Sequence, residues 1–289
     1  MAQLEVKDLT PAFGAEILGL DPQAELDEQA SHQLRTALDE RGLLLFRGVD
    51  VDGEFQAHLA GMLIGKDRSS AGDEDPDAAT NPFFVSNKEP GGGAPYGRLL
   101  FHSDMMWSDD PCQLLSLYAV QVDPPVVPTM FASTTNGWNT LPDALRARVE
   151  GLHALHVTGQ QTRGDDDGEL LQPIREQIQS STKPIGNPHP RTGQTMLYVC
   201  QMMTREIVEL PNDESEGLLE ELFAHLYNPD NLWQHEWRNG DLVAWDNLAV
   251  QHARSDVQID GPVRTLRKVI APRPLLADRP ETPRFSKVS

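Results

Sequence analysis

Apolar residues in this chain come in short runs broken by turn formers, and that rhythm restricts it to folds assembled from many short strands. Leu43-Leu44-Leu45-Phe46 is closed by Gly48, and Leu114 to Val122 and Thr129 to Thr134 flank the Pro124-Pro125 turn. Leu155-His156-Val157, Thr195 to Val199, Asp241 to Trp245, His252 to Asp256 and Arg264 to Ile270 continue the pattern. Runs of this length, rich in β-branched and aromatic residues and bounded by Gly, Pro and Asp, read as strands.

Helical spacing is confined to a few segments. Ala24 to Glu40 places Leu26, Ala30, Leu34, Ala37 and Leu38 on one face, and Gly42 ends it. Phe55 to Ile64 is a shorter helix, ending near Gly65. Thr140 as N-cap and Pro142 in the first turn start another that runs to about Glu150. Glu214 to Leu226 carries Leu218, Leu219, Leu222, Phe223 and Leu226 as its stripe. Many short strands with few helices predict a mainly β fold with flanking helices, two antiparallel sheets packed as a jelly roll. No internal repeat is visible. The expectation is one domain over residues 1–289, with polar, lid-like inserts at about 66–97 and 160–187.

Composition excludes several classes of function. With 44 acidic against 24 basic side chains, the formal charge of −20 offers no basic footprint for a phosphate backbone, so no nucleic acid is expected. The two cysteines, Cys112 and Cys200, supply neither a disulfide framework nor a Cys-rich zinc site. No apolar run is long enough to span a bilayer, and the start Met-Ala-Gln-Leu-Glu-Val-Lys-Asp lacks the features of a secretory signal. A cytoplasmic protein without membrane contact is expected, acting on a small-molecule substrate and possible as a homo-oligomer.

The chemistry concentrates in Phe101-His102-Ser103-Asp104. In a strand, residues i and i+2 share a face, so His102 and Asp104 would project an imidazole and a carboxylate into one space. Non-haem Fe(II) is commonly held by two histidines and one carboxylate, with the remaining positions open. A second histidine is available in Trp245-Asp246-Asn247-Leu248-Ala249-Val250-Gln251-His252, followed by Arg264 in Val-Arg-Thr-Leu-Arg-Lys-Val-Ile.

These pieces are similar, in order and spacing, to the TauD/TfdA family of Fe(II)- and 2-oxoglutarate-dependent dioxygenases. Leu-Thr-Pro-Ala-Phe-Gly-Ala-Glu-Ile-Leu-Gly-Leu-Asp near the start, Gly42 to Val49, Pro128-Thr129 and His189-Pro190-Arg191-Thr192-Gly193 extend the resemblance almost end to end. It implies a double-stranded β-helix (cupin-like jelly roll) and iron ligands His102, Asp104 and His252. It implies Fe(II), O2 and 2-oxoglutarate as cofactors and co-substrates. The reaction class it implies is oxidation of an unactivated C–H bond, with succinate and CO2 released. Hydroxylation beside nitrogen or sulfur would collapse to C–N or C–S cleavage, and desaturation is open to the same ligands.

The distal carboxylate of 2-oxoglutarate needs a cation, and a guanidinium's planar fork suits it. Arg264 matches the family position, and Thr129 resembles the threonine that hydrogen-bonds the co-substrate. Strand alternation puts Arg264, Leu266, Lys268 and Ile270 on one face and Arg267 on the other, so Arg264 and Arg267 compete for this role. Where several relatives carry a second, substrate-gripping arginine, this chain has Lys268, which holds an anion only as a point charge. Asn87, Phe101, Met105, Met106 and Trp107 are the remaining pocket candidates. The substrate expected is small and anionic or amino-acid-like. The competing reading is a jelly-roll metal protein without oxygenase turnover, either a zinc hydrolase using the same three ligands or a ligand-binding or sensory protein.

Overall fold

The computed structural model describes residues 4–65, 83–158, 173–174, 178–272 and 284–285. Two sheets carry the fold. The larger has seven strands in the order Glu5–Asp8, Ala15–Leu18, Leu43–Phe46, Leu242–Asp246, Leu114–Val122, Arg264–Ala271 and Phe83–Ser86. All its neighbours are antiparallel except Ala15–Leu18 beside Leu43–Phe46. The smaller has the order Leu232–His235, Thr129–Ser133, Val250–Val257 and Gly97–His102.

The unbroken apolar run Leu43-Leu44-Leu45-Phe46 reflects burial on both faces of the larger sheet. Leu43 and Leu45 point inward and pack with Leu115, Leu117, Val243, Trp245 and Leu266, where Phe131 from the smaller sheet joins them. Leu44 and Phe46 point outward, onto Leu34, Ala37, Leu38, Leu59 and Leu63 of two helices, Glu28–Arg41 and Gly53–Leu63. Each fully buried leucine contributes about 2 kcal/mol through its apolar area. The inter-sheet layer and the helix layer are therefore both structural necessities for this strand.

The helices begin and end where local chemistry dictates. Asp27 caps the first by accepting from the Ala30 N–H (2.8 Å), and Gly42 ends it at φ 70°. Asp52 caps the second through the Phe55 N–H at 2.7 Å. Asn212–Leu226 buries the expected Leu218, Leu219, Leu222, Phe223 and Leu226. It packs on a three-stranded sheet of Ser180–Pro184, His153–Val157 and Thr204–Ile207.

Two expectations are corrected. Thr140 is the C-cap of a short helix, Thr134–Asn139, and its hydroxyl donates to the Asn136 carbonyl at 2.7 Å, so it cannot start the next one. That next helix runs Asp143–Val149 behind Pro142. The six-residue helix is built from Thr, Asn and Gly, weak helix formers, and owes its existence to the Ser133 cap and to packing. Part of the first insert is also sheet rather than cover, since Phe83–Ser86 forms an edge strand against Arg264–Ala271. In the second insert, Ser180–Pro184 pairs with His153–Val157. Within the two inserts, residues 66–82, 160–172 and 175–177 lie outside the described residues.

Candidate metal and co-substrate site

His102 and His252 are direct cross-strand partners in the smaller sheet, with ring centroids 4.2 Å apart. Their side chains therefore leave the same face, and pairing alone fixes their separation. Asp104 arrives differently from the sequence argument. His102 is the last residue of its strand and Asp104 lies in the turn that follows, so the carboxylate is delivered by the turn and not by strand alternation. Met105, next in the turn, adopts φ 60°, a left-handed conformation a residue with a Cβ rarely takes.

The ligand atoms of the three residues lie within 4.8 Å of one another. His102 Nδ1 is 2.8 Å from the Leu100 carbonyl, which can only accept, so Nδ1 carries a proton and Nε2 is the nitrogen whose lone pair can be offered to a metal. That lone pair faces Asp104 Oδ1 at 3.3 Å, and His252 Nε2 lies 3.9 Å from the same oxygen. Acceptors gathered in this way are a donor set for a cation. Burial pushes the pKa of His252 well down, aided by His102 and Lys268, which keeps its ring neutral and available. For Asp104, burial acts upward, but the Lys268 ammonium acts against it and the carboxyl is held well below its usual range. Lys268 Nζ is in direct contact with Asp104 Oδ2.

Asn247 anchors the turn. Its side chain accepts from the Asp104 N–H (2.8 Å) and donates to the Asp104 carbonyl (2.8 Å) and the Cys112 carbonyl (2.9 Å). Trp245 packs edge-on against His252 with centroids 5.0 Å apart. Arg254, two residues beyond His252, donates to the carbonyls of Ala94 (2.6 Å), Tyr96 (2.7 Å) and Gly97 (2.6 Å), tying the loop before the His102 strand to the His252 strand.

Arg264 is buried, with its guanidinium on Thr129 Oγ1 (3.1 Å) and the Val127 carbonyl (3.3 Å). No carboxylate pairs with it among the described residues. Burial, and after it the charge of Arg254, push its pKa well down. Arg267 points the other way, to Gln56 Oε1 (2.8 Å) and the Val51 carbonyl (2.6 Å) on the helix side, over the Tyr118 ring. Of the two arginines, Arg264 is the one beside Thr129.

Three of the pocket candidates are elsewhere. Phe101 faces the opposite side of its strand from His102 and stacks on Tyr227 at 4.3 Å, among Ala132 and Ala253. Met106 is enclosed by Met196, Tyr198, Cys200 and Leu248. Asn87 spends its side chain on the carbonyls of Gln258 and Pro262 and on the Arg264 N–H, a brace for the Arg264 strand. Trp107 is buried, and Met105 packs at the edge of the inter-sheet core. Phe83, not singled out in the sequence, is 42 % exposed and is the cross-strand partner of Lys268, whose ammonium lies 5.9 Å from its ring centroid. In the sequence it is part of a short apolar island, Phe83-Phe84-Val85, within a polar insert, with no motif to mark it as a site residue. Asn247 and Arg254 had motif neighbours but no periodicity to reveal their roles.

Residues 5–270 match the family described as taurine catabolism dioxygenase TauD, TfdA family. The chain belongs to this family. It is 27 % identical over 261 residues to an alkylsulfatase of Acinetobacter baylyi, covering 86 % of this chain and 79 % of that protein. It is 26 % identical over 259 residues to the alpha-ketoglutarate-dependent 2,4-dichlorophenoxyacetate dioxygenase of Cupriavidus pinatubonensis, covering 84 % and 89 %. The fold matches that of AAD-2, solved with Mn(II) and N-oxalylglycine, at a TM-score of 0.73 and 22 % identity over 93 % of this chain and 96 % of that one. Family and relatives together indicate a 2-oxoglutarate-dependent dioxygenase, with a metal ion and 2-oxoglutarate as cofactors. No helix among the described residues is long and apolar enough to cross a membrane.

Proposed function

We propose that the chain is a single-domain, double-stranded β-helix dioxygenase that oxidises an unactivated C–H bond of a small organic anion. His102, Asp104 and His252 hold Fe(II), and Arg264 with Thr129 holds the distal carboxylate of 2-oxoglutarate. One oxygen atom of O2 enters the substrate as hydroxyl and the other enters succinate, while C1 of the keto acid leaves as CO2. The bound iron and keto acid supply the O2 activation that breaks the C–H bond.

The protein's own part is positioning and charge. Neutral imidazoles and one carboxylate leave a cationic metal centre that favours a dianionic co-substrate. The observation that carries the reading is that acceptor cluster together with a buried guanidinium that has no counter-ion among the described residues. A hydrolase using the same three ligands would have no use for Arg264.

Lys268 and Phe83 support an anionic substrate with an apolar body, the ammonium taking the charge and the ring the hydrocarbon. Relatives named for a sulfate ester and a phenoxyacetate fit that chemistry. Anaerobic Fe(II) plus 2-oxoglutarate tests the proposal. The visible charge-transfer band of the chelate should appear with the wild type and fade in Arg264→Ala. Its absence from the wild type would end the proposal. Succinate release across sulfonates, sulfate esters, aryloxy acids and amino acids then identifies the substrate.

A further inference from the structure

Thr129 Oγ1 receives two hydrogen bonds from groups that can only donate, the Trp237 indole Nε1–H at 2.9 Å and the Arg264 guanidinium at 3.1 Å. A hydroxyl has two lone pairs and one proton. Both lone pairs are taken, and the proton has no acceptor among the described residues. From this arrangement we infer that Trp237 is a positioning residue, whose indole N–H turns the Thr129 hydroxyl into a dedicated donor aimed at the distal carboxylate of the keto acid. The inference rests on the reading of Arg264 and Thr129 as the co-substrate's grip.

The surroundings suit that task. Trp237 is 2 % exposed and packs edge-on against His235, with centroids 4.5 Å apart. His235 is the cross-strand partner of Thr129 on one side, and Arg254 is its partner on the other. The threonine is thus held by sheet pairing and its hydroxyl by the indole. Without Trp237 the hydroxyl has a free lone pair and can rotate its proton away from a carboxylate. With it, the only unused capacity is a donor, which a carboxylate accepts more strongly than a neutral oxygen does and which an ammonium cannot accept.

The test is calorimetric titration of the Mn(II)-loaded protein with 2-oxoglutarate and, separately, with pyruvate, which keeps the 2-keto acid but lacks the second carboxylate. Trp237→Phe and Thr129→Val should each weaken 2-oxoglutarate on the order of tenfold. Pyruvate and Mn(II) affinity should stay at wild-type values. The double variant should be no weaker than Thr129→Val alone, because the indole acts only through the hydroxyl.

Additive losses, or equal losses for both acids, would overturn the inference and reduce Trp237 to a packing residue. A wild type without affinity for 2-oxoglutarate would instead sink the functional reading beneath it. If Trp237→Phe fails to fold, the indole N–H resonances of 15N-tryptophan protein loaded with Zn(II) serve in its place. One of them should move in Thr129→Val and respond to 2-oxoglutarate but not to pyruvate, and no such resonance would refute the assignment.

Discussion

Asn247 touches none of the donor atoms, yet it holds both backbone polar groups of Asp104. The turn it secures contains Met105 in a left-handed conformation, which costs about 1 kcal/mol for a residue with a Cβ. Asn247→Ala would leave a buried N–H unpaired, at about 2 kcal/mol, and free the turn to relax. Metal affinity should fall by about tenfold or more, as for other residues that orient ligands. Metal titration beside a urea melt checks this, and unchanged metal affinity would refute it. That His102, Asp104 and His252 should cluster was expected from the family resemblance, and they do lie together. How they meet was not: alternation along a strand suggested the His102–Asp104 pairing, whereas a turn held by a distant side chain produces it. The exclusion of Phe101 follows from the same alternation applied one residue earlier, since a neighbour of His102 in a strand must face away from it.

Among the elements, those with strong periodicity or unbroken apolar runs were readable, because both faces of the Leu43–Phe46 strand are buried and its apolar run says so. The edge strand Phe83–Ser86 and the helix Thr134–Asn139 were not. The first is flanked by loop-like composition and the second consists of poor helix formers, so tertiary packing decides both. Gly42 was readable as a helix stop, and the structure adds a second demand on it. A Cβ there would lie 2.8 Å from Val250 Cγ2, at the head of the His252 strand, while φ stays at 70°. Gly42→Ala should therefore destabilise by about 2 to 3 kcal/mol, the left-handed cost plus overpacking. Chemical denaturation measures it, and a loss under half a kilocalorie would show that the helix end shifts without resistance.

For the whole molecule, acid is the informative perturbation. His156 is fully buried, its Nδ1 bonded to Thr204 Oγ1 at 3.0 Å, and burial pushes its pKa from 6.5 to about 3, with Lys183 adding to the effect. The folded state therefore refuses a proton that the unfolded chain accepts. Stability from this residue is complete above about pH 6.5 and is lost as pH falls from there toward 3. The carboxylates with lowered values, Asp246 among them, act in the same direction but below their own ordinary range near 3.8. Stability measured between pH 7 and 4.5 should thus decline in wild type and less steeply in His156→Gln; parallel slopes would contradict the assignment.

Among the described residues, Arg264 carries a positive charge in the interior with a hydroxyl and a carbonyl to meet it and no carboxylate. If Arg264 holds the distal carboxylate as proposed, the keto diacid that neutralises the guanidinium would complete the interior as well as react. At a hundredfold excess over its dissociation constant it should add about 2.7 kcal/mol to unfolding, visible as a higher Tm in the anaerobic metal-loaded protein with no substrate present. Starved of that small molecule, the enzyme would loosen and be degraded sooner, so its lifetime would follow the supply of the compound it consumes.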